Sequence, residues 1–317
     1  MTDLSRTTSK MRNGSPPIIV VGLARSGTSW LGKVLSFIDG YTYYREPDNV
    51  NYVRGTRNYF EQLYLAGEMN DLDYAKHMDR ATSGRVANHF TMSADPGPWL
   101  DKLPPQFRRL GNVVPGLYRR QSGVLLKLVY ANLTLDWLAR RYPDARIIYI
   151  RRHPAAVFAS WKRLGWTPHL EPLLNQPALM ADHLEPYRDT LERVDSFWAK
   201  AGALWGAIHR VIENQSAAGL PVRVVSFEDL CESPEAGFHA LYEYLGCAWN
   251  TQVDEFVRAS HTRGDRKQAY SLSRNSKDMI ATWQKEVEPA EWAICSEVID
   301  SFRLAQATEQ LDVYQAT

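Results

Sequence analysis

Apolar residues along this chain form short, β-branched runs separated by longer stretches with helical spacing. The clearest run begins at Ile18 and leads through a turn containing glycine and serine into a segment whose apolar residues fall on one helical face. A run of this kind is typical of a strand buried on both sides of a sheet. Similar runs at 123–129, 145–150 and 221–227 stand next to segments with helical periodicity. The alternation of strands and helices predicts an α/β fold.

We expect a P-loop-like, doubly wound and mainly parallel β-sheet flanked by helices, in a single domain with helical insertions. The domain is predicted to cover residues 16–310, after a disordered polar tail at 1–15. Residues 50–120 are predicted to form a helical or irregular insertion. Several prolines at 165–190 predict a long loop there, which is a candidate lid. Ligands of such sheets collect at the carboxyl ends of the strands.

The turn after the first strand almost matches the phosphate-binding pattern G-x-x-x-x-G-K-[ST]. Gly22, Gly27 and Ser29 fit, whereas Thr28 replaces the lysine and the cation lies earlier, at Arg25. Backbone N–H groups of the turn and of the first helical turn would meet at one anion site. Without the lysine, the turn is poorly suited to γ-phosphoryl transfer but suits a smaller doubly charged group. The alternative is an ordinary strand–turn–helix unit.

Further charged side chains come at the ends of the other predicted strands. Glu46 follows the second strand, Lys127 lies in an apolar strand, and Arg152 ends another, followed by Ser160 two helical turns later. Taken singly, these are explained as a solvated carboxylate, a snorkelling lysine and surface polar residues. Because parallel strand ends share one rim, their convergence favours a ligand site. The basic stretch at 261–275 is either a solvated face or closes over an anion.

Composition narrows the class of protein. The 317 residues carry a net charge of +1, which argues against nucleic acid as a partner. The three cysteines have no metal-ligand spacing and suit a reduced, cytoplasmic location, so we expect no metal. The apolar runs are too short for a membrane span, and none is expected.

Together these motifs resemble the sulfotransferases that use 3′-phosphoadenosine 5′-phosphosulfate (PAPS), particularly the carbohydrate-type branch and its bacterial relatives. Residues 25–30 resemble the 5′-phosphosulfate loop of that family, and 150–160 resemble its 3′-phosphate motif. Residues 225–230 resemble its strand-end Tyr-Glu-Asp-Leu segment, with Phe227 in place of the tyrosine. Residues 44–47 resemble its Glu-Pro element. Val129 stands where the small-molecule branch has a catalytic histidine.

The resemblance implies transfer of a sulfuryl group from PAPS to a hydroxyl of a small-molecule acceptor such as a sugar, glycolipid or natural product, with release of 3′,5′-ADP. Glu46 is then the predicted base, and Arg25 and Lys127 are predicted to stabilise the leaving phosphate. The predicted cofactor contacts are Arg25, Ser26, Gly27, Thr28, Ser29, Trp30, Arg152, Ser160, Phe227 and Arg274. A divergent P-loop kinase or NTPase and a non-catalytic nucleotide-binding protein are the alternatives.

Overall fold

The computed structural model describes residues 14–305 except 52, 54–60, 68, 70, 87–90, 92–122 and 263–275. At its centre is a five-stranded sheet. The strands are β1 (Ile18–Val21), β2 (Tyr41–Arg45), β3 (Gly123–Leu128), β4 (Arg146–Arg151) and β5 (Val222–Ser226). They lie in the order β2-β3-β1-β4-β5, and all four pairings are parallel. This confirms the predicted doubly wound parallel sheet.

The apolar strands bury both of their faces, as the continuous runs predict. Ile19 and Val21 of β1 point into a first core, whereas Ile18 and Val20 point into a second core on the opposite face of the sheet. All four side chains are buried because helices cover both faces. The sheet is therefore the middle layer of a three-layer α/β domain.

Helices account for most of the remaining described chain. Those before β4 are α1 (Thr28–Leu35), α2 (Leu72–Thr82) and α3 (Leu135–Arg141). Those between β4 and β5 are α4 (Pro154–Arg163), α5 (Glu171–Leu174), α6 (Pro177–Leu179), α7 (Arg188–Arg193) and α8 (Phe197–Ala217). Those after β5 are α9 (Phe227–Glu232), α10 (Pro234–Leu245), α11 (Thr251–Thr262), α12 (Ser276–Ala281) and α13 (Pro289–Ser301).

The prediction of a long loop at 165–190 is wrong. Apart from the connection at its start, this segment is a chain of short helices, with α5 and α6 followed by a π-helical turn (Met180–Leu184) and a 3₁₀ turn (Glu185–Tyr187). Pro172, Pro177 and Pro186 occupy first helical turns, where the missing N–H costs nothing, whereas Pro168 lies in the connection. Most leucines of the segment are buried in the first core. Three of its four prolines therefore start helices rather than exclude them.

Other predicted boundaries fall partly outside the described residues. Of the predicted tail at 1–15, residues 1–13 lie outside, as do residues 306–317 around the predicted end of the domain. Most of the predicted insertion at 50–120 also lies outside, although α2 is helical as expected. Among the described helices, none has both the length and the apolar character that crossing a membrane requires.

Candidate active site

The winding of the sheet reverses at β1. From β1 the chain passes to β2 and β3 on one side, and then to β4 and β5 on the other. In open α/β sheets this reversal opens a crevice outside the carboxyl ends of the strands. The sequence-predicted site residues of the described chain lie around this crevice, on the turns and helices that follow β1, β2, β4 and β5 and on β3 itself.

The glycine turn joins β1 to α1 in a tight backbone conformation. The Ser26 N–H donates to the carbonyl of Leu23 at 3.0 Å, and Arg25 and Gly27 adopt left-handed φ values of 77° and 92°. Gly27 is the N-cap of α1, and no described side chain caps the helix there. The first N–H groups of α1 are therefore available to an anion, and the helix dipole favours negative charge there.

Close packing and the left-handed backbone conformation both require glycine at position 27. A Cβ at this position would lie 2.2 Å from Cδ2 of Phe227, at the start of α9. The Phe227 ring is buried, contacts Trp30 edge-on at 6.0 Å between centroids, and lies beneath the guanidinium of Arg152 at 4.3 Å. Phe227 is thus the common neighbour of the glycine turn and the arginine that follows β4.

Arg152 contacts the glycine turn directly. Its Nη1 donates to the carbonyl oxygen of Arg25 at 2.9 Å, and its Nη2 donates to the carbonyl oxygen of Met279, in α12, at 3.2 Å. The sequence places these two arginines 127 residues apart. The strand ends of β1 and β4 bring them together because β1 and β4 are adjacent in the sheet.

Helix α4 holds the other side of the turn through two consecutive residues. The Nε of Arg25 donates to Oγ of Ser160 at 2.9 Å, and the indole N–H of Trp161 donates to the carbonyl of Ala24 at 2.9 Å. Pro154 opens α4 in its first turn, where its fixed φ suits a helix start. The two phosphate motifs inferred from the sequence are therefore hydrogen-bonded to each other through Arg25.

A buried ion pair lies on the β3 side of the turn. Lys127, only 1% exposed, points from β3 toward Glu46, and its Nζ forms an ion pair with Oε1 of that residue. The same Nζ donates to Oγ of Ser29 at 3.3 Å. The other carboxylate oxygen of Glu46 accepts from Nδ2 of Asn49 at 2.8 Å. The cation therefore bridges the helix start and the candidate base.

Burial and charge act in opposite directions on this pair. Burial raises the pKa of Glu46, but the charge and hydrogen bond of Lys127, with help from Asn49 and Arg45, outweigh it and leave that pKa below its ordinary range. Burial, with the charge of Arg45, lowers the pKa of Lys127 despite the opposing effect of the Glu46 carboxylate. Within the pair, each partner opposes the effect of burial on the other.

The structure brings the predicted residues to one crevice, and their functional roles stay predictions. Ser26 and Thr28 are buried in the turn, and Trp30 packs in the second core against Phe227 and Phe238. Arg274 lies outside the described residues. Within the part of the chain that the structure describes, no group of three or more acidic, histidine or cysteine residues could hold a metal.

Sequence reasoning missed three contributors to this site. Trp161 holds the turn, Asn49 orients Glu46, and Asp48 accepts hydrogen bonds from the chain just after β3. Asp48 and Asn49 directly follow the Glu-Pro element, so an acid and an amide behind a predicted base are the available signal. Nothing in the sequence distinguishes Trp161 from the core tryptophans of other helices.

Comparison with known proteins identifies the family. The solved structures that match this chain include three sulfotransferases. A sulfotransferase domain of the Synechococcus PCC 7002 olefin synthase has a TM-score of 0.48 at 15% identity, covering 94% of this chain and 98% of that one. Mouse sulfotransferase SULT7A1 in complex with PAP has 0.47 at 13%, covering 96% and 90%. Sulfotransferase STF1 from Mycobacterium tuberculosis H37Rv has 0.39 at 18%, covering 85% and 76%.

No curated protein matches the sequence. A sequence model described as the sulfotransferase family matches residues 16–251, which include the glycine turn, Glu46, Lys127, Arg152 and Phe227. This match covers well over half of the chain and contains every strand of the sheet. The chain belongs to the sulfotransferase family.

Proposed function

We propose that this protein transfers a sulfuryl group from PAPS to a hydroxyl of a small-molecule acceptor and releases 3′,5′-ADP. The observation that carries the proposal is the contact between Arg152 and the carbonyl of Arg25. It joins two separate cationic motifs at one crevice, as a nucleotide with phosphates at both its 3′ and 5′ positions would need. Membership of the sulfotransferase family supports the same reaction class.

The residues present fit such a nucleotide. The turn at Gly27 leaves no space for a Cβ and begins a helix without a side-chain cap, as expected for a backbone cradle around a phosphate. Arg152 offers a planar donor group and Ser160 a hydroxyl, and both contact Arg25. Such groups suit a second phosphate. Thr28 and Ser29 would hold oxygens of the 5′-phosphate, and Arg152 with Ser160 would hold the 3′-phosphate.

When bound, PAPS would supply an electrophilic sulfur whose leaving group is the 5′-phosphate of 3′,5′-ADP. Glu46 would take the proton of the acceptor hydroxyl as its oxygen bonds to sulfur. Arg25, Lys127 and the N–H groups of the turn would stabilise the negative charge that develops on the phosphate oxygen as its bond to sulfur breaks. Lys127 is well placed to act on both the base and the leaving phosphate, because its Nζ contacts Glu46 and also Ser29 at the start of α1.

The acceptor is proposed only as a hydroxyl-bearing small molecule, such as a sugar, glycolipid or natural product. The surroundings of Glu46 are polar: Asn51 donates to the hydroxyl of Tyr130 at 3.3 Å and to Glu61 at 3.4 Å. Such groups offer hydrogen bonds to an acceptor with several hydroxyls.

The test is sulfate transfer from ³⁵S-labelled PAPS across a panel of sugars, glycolipids and phenols, with and without EDTA. Labelled ester product that forms in EDTA supports the proposal. Binding of 3′,5′-ADP without transfer to any acceptor would support a non-catalytic nucleotide-binding protein. Release of phosphate from ATP that requires Mg²⁺ would support a P-loop kinase or NTPase.

A further inference from the structure

Two sets of hydrogen bonds join the loops that follow β2 and β3, beside the candidate base. The N–H of Glu46 donates to the carbonyl of Lys127 at 2.6 Å. Two residues later, Oδ2 of Asp48 accepts from the N–H of Val129 at 2.9 Å and from that of Tyr130 at 2.7 Å. The Asp48 carboxylate thus ties the loop after β2 to the chain just after β3, next to the Glu46–Lys127 pair.

Asp48 is more than a backbone cap, because it is a second buried carboxylate two residues from Glu46, close enough for the charge of Glu46 to act on it. It is 2% exposed, and among the described residues its Oδ1 has no hydrogen-bond partner. Burial, aided by the nearby charge of Glu46, raises the pKa of Asp48 to about 7, against hydrogen bonding from the Tyr130 N–H and attraction to Lys127. A buried carboxylate without a full set of hydrogen bonds destabilises the folded protein. Asp48 is therefore a candidate for a functional role.

Several titratable groups face Asp48 and Glu46 from the elements around them. Their ionisation contributes to the local field. They are Arg45 and Tyr43 on β2, Lys127 on β3, Tyr130 just after β3, and His77 of α2, which hydrogen-bonds to the carbonyl of Pro47. Glu61 in turn lies near Tyr130. Asp48 and Lys127 are the charged groups of this set that burial encloses most fully.

The ion pair by itself makes Glu46 a weak base. A carboxylate bonded to a buried ammonium holds its negative charge more tightly and accepts a proton less readily. General base catalysis requires the opposite, since its rate follows the basicity of the group. A second negative charge near Glu46 raises the basicity that Lys127 lowers. Asp48 can supply it, since this buried carboxylate is two residues from Glu46 and is bound to the chain just after Lys127.

We propose that Asp48 is a positioning residue that keeps Glu46 basic within its ion pair, through its negative charge as well as through its backbone hydrogen bonds. The inference rests on the proposed role of Glu46 in sulfuryl transfer. It differs from a purely structural role, in which only the hydrogen bonds to Val129 and Tyr130 matter.

Asp48→Asn separates the two roles. The amide oxygen of asparagine accepts the same two N–H bonds, and its NH₂ group fills the space of Oδ1, so the variant removes the charge and keeps the shape. Asp136→Asn is the matched control. Asp136 also accepts a backbone N–H, from Gly67 at 2.7 Å, but it pairs with Arg140 of α3 rather than contacting Lys127 or Glu46.

The first readout needs no substrate. In protein labelled with ¹³C at side-chain carboxyls, wild type should show an aspartate resonance that titrates near neutral pH and disappears in Asp48→Asn. The Glu46 resonance is assigned by its loss in Glu46→Gln. In wild type and in Asp136→Asn, this resonance should show an inflection at the pH where Asp48 titrates. In Asp48→Asn, the inflection should be absent. Absence of any aspartate titrating near neutrality in wild type overturns the inference without reliance on a variant.

The second readout is kinetic. The ratio of wild-type to Asp48→Asn kcat should be roughly 3- to 10-fold at pH 8, where Asp48 is charged, and should fall toward one at pH 6. Binding of 3′,5′-ADP should be unchanged. A ratio of one at both pH values, or an equal loss at both, leaves only the structural role. If the carboxyl resonances are coupled as expected but wild type transfers no sulfate, the placement of Asp48 stands and the proposed function fails.

Discussion

At the scale of single residues, Arg25 and Glu46, the two most important candidate residues, each have a strained backbone conformation. Arg25 and Glu46 are two of the four described non-glycine residues with positive φ, at 77° and 47°. Such conformations cost about 1–3 kcal/mol and persist where surrounding contacts determine them. Arg25 is held by Ser160 and by Arg152, and Glu46 by Lys127 and Asn49. Two of the four strained positions therefore lie at the site from which the chemistry is proposed.

Glu46→Gln tests the base. The amide cannot accept a proton, so kcat should fall by roughly 10²–10⁴, while binding of 3′,5′-ADP stays nearly intact. Steady-state kinetics and calorimetry measure the two effects. Glu192→Gln, an exposed carboxylate paired with Arg188, is the control and should leave both unchanged. Full activity in Glu46→Gln, or an equal loss of binding, would assign the base elsewhere.

Arg152→Ala tests recognition of the 3′-phosphate. Loss of charge-assisted hydrogen bonds should weaken 3′,5′-ADP by roughly 10- to 100-fold and leave 5′-AMP, which lacks that phosphate, nearly unaffected. Titration calorimetry with both nucleotides gives the comparison, and the exposed Arg193→Ala is the control. Equal weakening of both nucleotides would show that Arg152 supports the turn rather than the phosphate.

The sequence predicted these residues one at a time but not their partners. Taken alone, Glu46 is typical of a solvated loop carboxylate, and Lys127 is typical of a lysine near a strand end. Their pairing depends on the register that sets Arg45 opposite Lys127 across β2 and β3. Register between strands separated by a long insertion is a tertiary property, so the ion pair and the contribution of Asp48 could not be predicted from local pattern.

At the scale of elements, the glycine turn and helix α4 act as one unit. The turn is pressed between Phe227 and the Ser160–Trp161 pair, so it has little freedom to deform. The strand–turn–helix pattern predicted this element well, because its apolar period changes at the glycines. The helices of the 165–190 segment were not predicted, because a proline in the first turn of a short helix and a proline in a loop look alike locally.

Gly27→Ala should destabilise the fold through both its φ and its neighbour. The left-handed φ costs about 1 kcal/mol, and the clash with Phe227 should add about 1–3 kcal/mol. Gly219→Ala is the matched control, since Gly219 has φ 88° but nothing within 4 Å of the position that a methyl group would take. Denaturant unfolding measures both. Equal losses in the two variants would mean that Phe227 yields to the methyl group.

Trp161→Phe should loosen the turn without unfolding the protein. It removes the hydrogen bond to the carbonyl of Ala24, worth about 0.5–1.5 kcal/mol, and keeps most of the packing. We expect 3′,5′-ADP to bind roughly 2- to 10-fold more weakly, with Tm in the absence of ligand close to that of wild type. Trp166→Phe, at an exposed indole beyond the same helix, should bind normally. Unchanged affinity in Trp161→Phe would exclude this anchoring role.

At the scale of the whole molecule, the sheet is what makes the site. The chain order of strands separates Arg25 from Arg152 by 127 residues, yet β1 and β4 are neighbours, and their carboxyl ends open on one crevice. The continuous apolar runs of the strands contribute to both cores, which is why the fold class followed from the hydrophobic pattern. Side-chain contacts across the crevice follow from strand order, which the pattern alone does not determine.

The central claim is that two cationic motifs bind opposite ends of one doubly phosphorylated nucleotide. Titration calorimetry of the full chain with 3′,5′-ADP, 5′-AMP, 3′-AMP and ATP–Mg²⁺ tests it most directly. Since each phosphate adds charge-assisted hydrogen bonds, 3′,5′-ADP should bind at least about 10-fold more tightly than either monophosphate. Equal affinity for 3′,5′-ADP and 5′-AMP, or tightest binding of ATP–Mg²⁺, would contradict the account.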